Sequence, residues 1–195
     1  MIYYTSQLGQ DTWVDKYLNF KDGGTFVDIG ASYHEQFSNT FFFEKERNWR
    51  GLAVELNPIY ADGWKTHRPN SVFRLADATQ LDYQHLFEEC QFPSCIDFLS
   101  IDIDPPFASW VTLQKVMETS YTFNVIAFEV DYGGDIEYPD RFSIRDPSRE
   151  LLRSRGYHLV REIYDYGKTW YHVDDLWVNP TIYETLSLED RTCSS

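Results

Sequence analysis

The sequence predicts an α/β fold built on a mostly parallel sheet. Three observations carry this. Seven short runs dense in Val, Ile, Leu and Phe recur along the chain, as strands buried on both faces do. Stretches of helical patterning separate the first six, which is the alternation of βαβ units. The last two runs follow each other with only "YGKTWYHVD" between them, so the sheet is expected to end in a hairpin with one antiparallel strand near the C-terminus.

The elements follow in order. The amphipathic "WVDKYLNF" marks a helix near 10–20 within an N-terminal helical segment 1–22. "TFVDIG" (25–30) is the first strand, and Ser38 is positioned as the N-cap of a helix near 38–49. "GLAVELN" (51–57) is the second strand, followed by a helix near 58–68 with Pro58 in its first turn. "SVFRLADA" (71–78) and "IDFLSIDID" (96–104) flank a helix near 82–91. "NVIAFEVD" (124–131) comes after a helix near 107–120, and "YHLVREIYD" (157–165) after one near 146–155; "DLWVNP" (175–180) closes the sheet. Trp49, Trp64 and Trp110 read as core or cover, and His67, His85 and His158 as surface residues. Residues 1–180 are expected to form a single domain and 181–195 a polar tail that frays.

Charge narrows the function. Seventeen Lys and Arg against 31 Asp and Glu give a net charge of −14, which repels phosphate backbones and anionic membranes and leaves no reason to expect nucleic acid or a membrane as partner. Cys90, Cys95 and Cys193 are odd in number and lack metal-type spacing, as suits free thiols in a reducing compartment. The N-terminus lacks the basic and apolar regions of a secretory signal, and no run approaches the ~18 apolar residues of a membrane span. A cytoplasmic protein is the expectation.

In open parallel sheets ligands bind beyond the carboxyl ends of the strands. Those ends carry Asp28 and Gly30, Glu55 and Asn57, Asp77, Asp102 and Asp104, and Glu129 and Asp131 in turn. Carboxylates beside a low-dielectric core are costly unless bonded or solvated in a cleft, so a crevice lined by acids is expected. Which ligand it takes depends on the first turn, "DIGASYHEQ". A dinucleotide turn needs glycines at positions where this chain has Ser32 and Glu35, and Glu35 would face phosphates with the wrong sign. A nicotinamide oxidoreductase is therefore disfavoured. A ligand without phosphates but with a sulfonium, a ribose diol and an adenine fits better, namely S-adenosylmethionine. Glu55 can accept both ribose hydroxyls, and Asp77 the adenine amino group.

"SQLGQDTWV", "GTFVDIGA", "SNTFFFEKERNWRGLAVELNP", "DFLSIDID", "VIAFEVD" and "RDPSRELLRSRGY" together resemble FkbM-type S-adenosylmethionine-dependent methyltransferases, from residue 6 to 180. The resemblance implies a class I methyltransferase fold, a Rossmann-like three-layer sandwich, and O-methylation of a hydroxyl on a sugar or small metabolite. Carried over residue by residue, it implies cofactor binding by Gln7, Asp28, Gly30, Ala31, Glu55, Asn57, Asp77, Ala78 and Asp102, with Asp11 also near the cofactor mouth. The chain departs from the family's D-I-G-A-N-x-G at Ser32, Tyr33 and His34, and His34 in a glycine position is expected to add bulk beside the methionine moiety. The alternative that follows is a cofactor-binding module without turnover.

An acceptor hydroxyl needs a general base, for which Asp104, Glu129 and His34 are the candidates. Asp102 and Asp104 share one strand face, as do Glu129 and Asp131. Crowded carboxylates raise one another's pKa towards a useful range and would hold His34 protonated, so Asp104 or Glu129 is preferred. The same acids could hold a divalent metal, which is not favoured because no complete ligand set is legible; no metal ligand is assigned.

Overall fold

The computed structural model describes residues 3–133, 143–165 and 171–191. Helix α1 (Gln10–Tyr17) precedes β1 (Thr25–Ile29), α2 (Phe41–Glu46), β2 (Arg50–Glu55), α3 (Ala61–His67) and β3 (Ser71–Leu75). Then come α4 (Tyr83–Glu89), β4 (Cys95–Ile101), α5 (Pro106–Met117) and β5 (Thr122–Gly133). The chain continues through α6 (Arg145–Ser154), β6 (His158–Asp165), β7 (Tyr171–Val178), α7 (Pro180–Thr185) and α8 (Leu188–Arg191). The seven strands form one sheet in the order β3-β2-β1-β4-β5-β7-β6, with β7 antiparallel to both its neighbours and the β1–β5 pairs parallel. The strand order reverses between β1 and β4, and the chain returns from β3 to β4 across that point.

Period-two alternation splits the core into two layers. Val27, Ile29, Val54 and Leu99 pack with α4, α5 and α6, while Phe26, Phe98 and Val125 pack on the other face with Val14 of α1, Phe42 and Phe43 of α2, and Trp49. Trp49 and Trp64 are fully buried and Trp110 packs against the first layer, as expected of cover residues. Strand β3 departs from the expectation of burial on both faces. It lies at the sheet edge, where Val72 and Leu75 are exposed.

The segment read as a polar tail forms α7 and α8 as far as Arg191, and Asp190 of α8 bonds Lys16 Nζ of α1 at 2.7 Å. Cys193 lies outside the described residues. No helix among the described residues is long and apolar enough to cross a membrane.

Candidate functional site

The carboxyl ends of β1 to β4 open into a crevice of about 710 Å³. Its wall is formed by Gly30 and Ser32 after β1, Glu55 and Asn57 after β2, Asp77 and Ala78 after β3, and Asp102 and Asp104 after β4. Seven of the residues expected at the site thus come together. Gly30 sits at φ +84°, and a Cβ there would stand 1.7 Å from the Asp102 carbonyl oxygen, so the ends of β1 and β4 meet only through a glycine. Glu55 is fixed by two turns at once: Oε2 accepts from Ser32 N at 2.9 Å and Oε1 from Asn57 N at 2.7 Å. Its remaining lone pairs face the cavity as acceptors. Asp77 caps the turn after it, accepting from Thr79 N at 2.9 Å and Thr79 Oγ1 at 2.7 Å; the hydroxyl and the amide hold its carboxyl below the usual carboxylate range. Strand β4 ends at Ile101, short of the expected 104. Asp102 and Asp104 sit on a turn pinned by Ser109, whose Oγ accepts from Ile103 N at 2.9 Å and donates to Ile103 O at 3.1 Å.

The loop from Ala31 to Thr40 holds its shape without the missing glycines because Arg68, fully buried, is bound to it. Arg68 donates to His34 O at 2.9 Å, Thr40 Oγ1 at 3.1 Å and Glu44 Oε2 at 2.7 Å, and its guanidinium lies 4.2 Å from the Trp64 ring centroid. Trp64 Nε1 in turn donates to Ser32 O at 2.9 Å. Asp28 is not part of the crevice wall: period two turns it to the Phe26 side, where Oδ2 accepts from Thr40 Oγ1 at 2.6 Å. Burial, with smaller contributions from Asp102 and Glu55, pushes its carboxyl up to about 7. Ala31 is buried behind the wall, with its N donating to Val54 O at 3.1 Å.

Three expectations need correction. His34 does not obstruct the crevice: its ring stacks on His67 at 4.7 Å, over Gly63, and faces a separate groove with Tyr33 and Phe37. Nor do carboxylates hold it protonated; burial, and then His67, lower its pKa. Gln7 is exposed and outside the wall, and Asp11 is a buried cap for the preceding loop, accepting from Thr5 N at 2.6 Å and Ser6 N at 3.0 Å. Glu129 is on the expected strand, β5, next to the wall and opposite Asp174. The side chain of Asp131 is outside the described residues.

Beyond Glu129 lies a polar cluster that sequence reasoning missed. Arg149 of α6 grips Asp175 with two bonds of 2.7 Å and also bonds Glu162, while Tyr164 donates its hydroxyl to Glu162 at 2.7 Å. His172 Nε2 lies 2.9 Å from Asp175 Oδ1, and Gln10 Nε2 donates to Asp174 Oδ2 at 2.6 Å. The "DD" pair inside an apolar strand was the one available signal. Ligand atoms of Glu162, His172 and Asp175 come within 4.8 Å of one another. Arg149 bonds both carboxylates and so takes the place a cation would have.

No family model matches the chain, and no curated protein does. Solved structures do. A TehB-like S-adenosylmethionine-dependent methyltransferase from Corynebacterium glutamicum superposes with a TM-score of 0.54 at 13% identity, covering 89% of each chain. Fibrillarin from Aeropyrum pernix, solved with natively bound S-adenosylmethionine, gives 0.58 at 13% identity over 89% of this chain and 74% of its own. A third is the Burkholderia thailandensis 1,6-didemethyltoxoflavin-N1-methyltransferase with its small-molecule ligand and S-adenosylhomocysteine, at 0.55 and 16% identity over 87% of this chain and 76% of its own. The fold is that of class I S-adenosylmethionine-dependent methyltransferases. At such identities the likeness is one of fold, and within this fold the crevice described above occupies the switch point between β1 and β4.

Two measurements test the architecture of this site. Arg68→Met leaves Glu44 buried without its counter-charge and should lower the unfolding free energy by about 3–5 kcal/mol in denaturant titrations; a loss below about 1 kcal/mol would mean that the guanidinium does not hold the loop. Asp28 has a folded pKa near 7, above its ordinary 3.8. A carboxyl raised in this way contributes stability that is full below about pH 4 and is lost as pH rises through about 7. Asp28→Asn, which cannot ionise, should therefore gain stability relative to the parent as pH rises from 4 to 8, by about 1–4 kcal/mol, and a difference that is flat with pH would refute the shift.

Proposed function

We propose that the chain binds S-adenosylmethionine in the crevice and methylates a hydroxyl of a small molecule, as the FkbM-type resemblance implies. The observation that carries this reading is the chemistry of the wall. Glu55, Asp77 and Asp102 are acceptors, and they suit a ligand rich in donors and positive charge rather than one that bears phosphates. Glu55, held by Ser32 N and Asn57 N, is preset to take the two ribose hydroxyls, and Asp77 the exocyclic amine of the adenine. Asn57 and Ala78 shape the adenine end, and Gly30 lets the backbone approach closely. When bound, the cofactor supplies an electrophilic methyl group on a sulfonium.

The protein's part is positioning. Asp104, at the edge of the crevice, and Glu129, on the next strand, are the candidates to take the proton of the acceptor hydroxyl. A small-molecule or glycan acceptor is favoured over RNA, whose phosphates the net charge of −14 repels.

Calorimetry with S-adenosylmethionine and S-adenosylhomocysteine tests the reading. Glu55→Ala should weaken both by about 1.5–3 kcal/mol, the range for hydrogen bonds to a charged group. Unchanged affinity in a variant with parental circular dichroism would remove Glu55 from the site, and no affinity in the parent would end the proposal. A gel shift with an RNA hairpin at physiological salt should show no complex; retention of the hairpin would move the acceptor class to nucleic acid.

A further inference from the structure

Beside the crevice, between the N-terminal segment and the loop after β1, runs a groove of about 540 Å³. Tyr3, Tyr33, His34, Glu35 and Phe37 line it. Its aromatic side chains are not packed away: Tyr3 is 66% exposed, Tyr33 49% and Phe37 57%. Three large rings left to solvent in one concave place mark a binding surface, since apolar area stabilises only when it is taken out of water. Tyr33 supplies the boundary. Its ring meets Tyr60 of the crevice wall edge-on at 4.8 Å, so the groove and the crevice meet at one pair of rings without sharing a cavity.

The backbone is held in a costly shape to present these rings. Phe37 sits at φ +61°, in the left-handed region that a bulky residue rarely enters. Such strain persists only where the surroundings impose it. Here Ser38 N donates to Glu35 O at 3.1 Å, Thr5 Oγ1 donates to Ser38 O at 2.9 Å, and Ser6 pairs with Phe37 in an isolated bridge. Asp11 fixes the N-terminal side by accepting from Thr5 N and Ser6 N, and the Tyr4 hydroxyl donates to Asp15 at 2.9 Å. Both sides of the groove are therefore preset, and a ligand entering it has little to order.

The charge of the lining decides the class of ligand. Among the described residues the groove offers aromatic rings, a carboxylate at Glu35 and no Lys or Arg. His34 adds no positive charge near neutral pH, because burial, and then His67, lower its pKa. The cations that act on His34 are engaged with other partners: Arg68 with Glu44, and Lys45 with the His67 carbonyl oxygen at 2.6 Å. Ring faces and a carboxylate attract ammonium groups, and the net charge of −14 draws cations towards the surface as a whole. A phosphorylated ligand meets only repulsion there. We propose that the groove binds a small organic cation, a quaternary or protonated amine, against the rings of Tyr3, Tyr33 and Phe37 and beside Glu35. The assignment stands on the groove itself and does not depend on the methyltransferase reading of the crevice.

Choline and its uncharged carbon isostere, 3,3-dimethylbutanol, titrated into the ¹⁵N-labelled protein, test the assignment. Choline should give saturable amide shifts at residues 3–5 and 33–37, and the isostere should bind more weakly by about 2–5-fold or more, the worth of a cation–π contact at an exposed site. Tyr33→Leu and Phe37→Leu change exposed side chains and should each weaken choline by about 2–5-fold with parental circular dichroism. Glu35→Gln should weaken it too and reduce the salt dependence of binding. Equal binding of the isostere overturns the proposal in favour of apolar shape alone, and methyl glucoside bound at the same residues at least as tightly as choline overturns it in favour of a neutral sugar face. Shifts confined to Glu55, Asp77 and Asp102 place the cation in the crevice and overturn it. So does the absence of saturable shifts, or unchanged affinity in all three variants.

Discussion

The guanidinium of Arg68 reaches from the end of α3 into the loop that follows β1, and water has no access to it. A buried cation must be paired and hydrogen-bonded to persist, and Arg68 is both. It meets Glu44 of α2, the His34 carbonyl, Thr40 Oγ1 and the face of Trp64. Thr40 passes the constraint to Asp28, and Trp64 passes it to the Ser32 carbonyl. The loop therefore takes its path from side chains three elements away rather than from glycines within it. Ser32, at φ +46°, adopts a left-handed conformation that costs an L-residue energy, and its amide is turned to Glu55. Without that amide Glu55 would lose one of its two anchors.

The carboxylates of the crevice are tolerated for a related reason. Glu55 and Asp77 each accept backbone amides from the turn beside them, and at Asp77 the Thr79 hydroxyl and amide lower the carboxyl's pKa. Asp28, buried with the Thr40 hydroxyl as partner, goes the other way and has a pKa raised to about 7. Burial therefore sorts the strand-end acids into two kinds. Asp77 on the wall is held below the usual carboxylate range, while Asp28 behind it is raised to about 7 and holds Thr40 of the loop.

What the sequence made legible was local. Alternation of apolar runs and helical stretches gave the elements, and strand-end position gave the acids of the crevice, because both follow from periodicity within a few residues. Gly30 and Glu55 stand where their spacing placed them. Arg68 was not legible, since a lone arginine at a helix end reads as solvated and only topology brings it to Glu44, 24 residues away. Gln10, rather than Gln7, reaches the far cluster, because Gln10 opens α1 while Gln7 lies in the turn before it, and its partner Asp174 is 164 residues on. The edge strand β3 was misjudged for a similar reason: its Val, Phe and Leu suit a pleated surface, but being last in the sheet leaves it uncovered.

The sheet divides its chemistry at the β4–β5 ladder. Residues 25–105 build the crevice from parallel strands and the turns after them, with Glu55 and Asp77 on the wall each supported by amides of its own neighbourhood. The β5–β7 half is organised by side chains instead, with Arg149 from α6, Gln10 from α1 and two register slips bringing Asp174, Asp175 and His172 to one place. Antiparallel pairing makes this possible, since β7 enters the sheet beside the carboxyl end of β5 and delivers its first residues there. A parallel seventh strand would have brought its last residues, and "DD" would sit elsewhere. The reversal of one strand thus places a histidine–carboxylate pair on the same edge of the sheet as the crevice, joined to it through the paired backbones of Ile101 and Phe128.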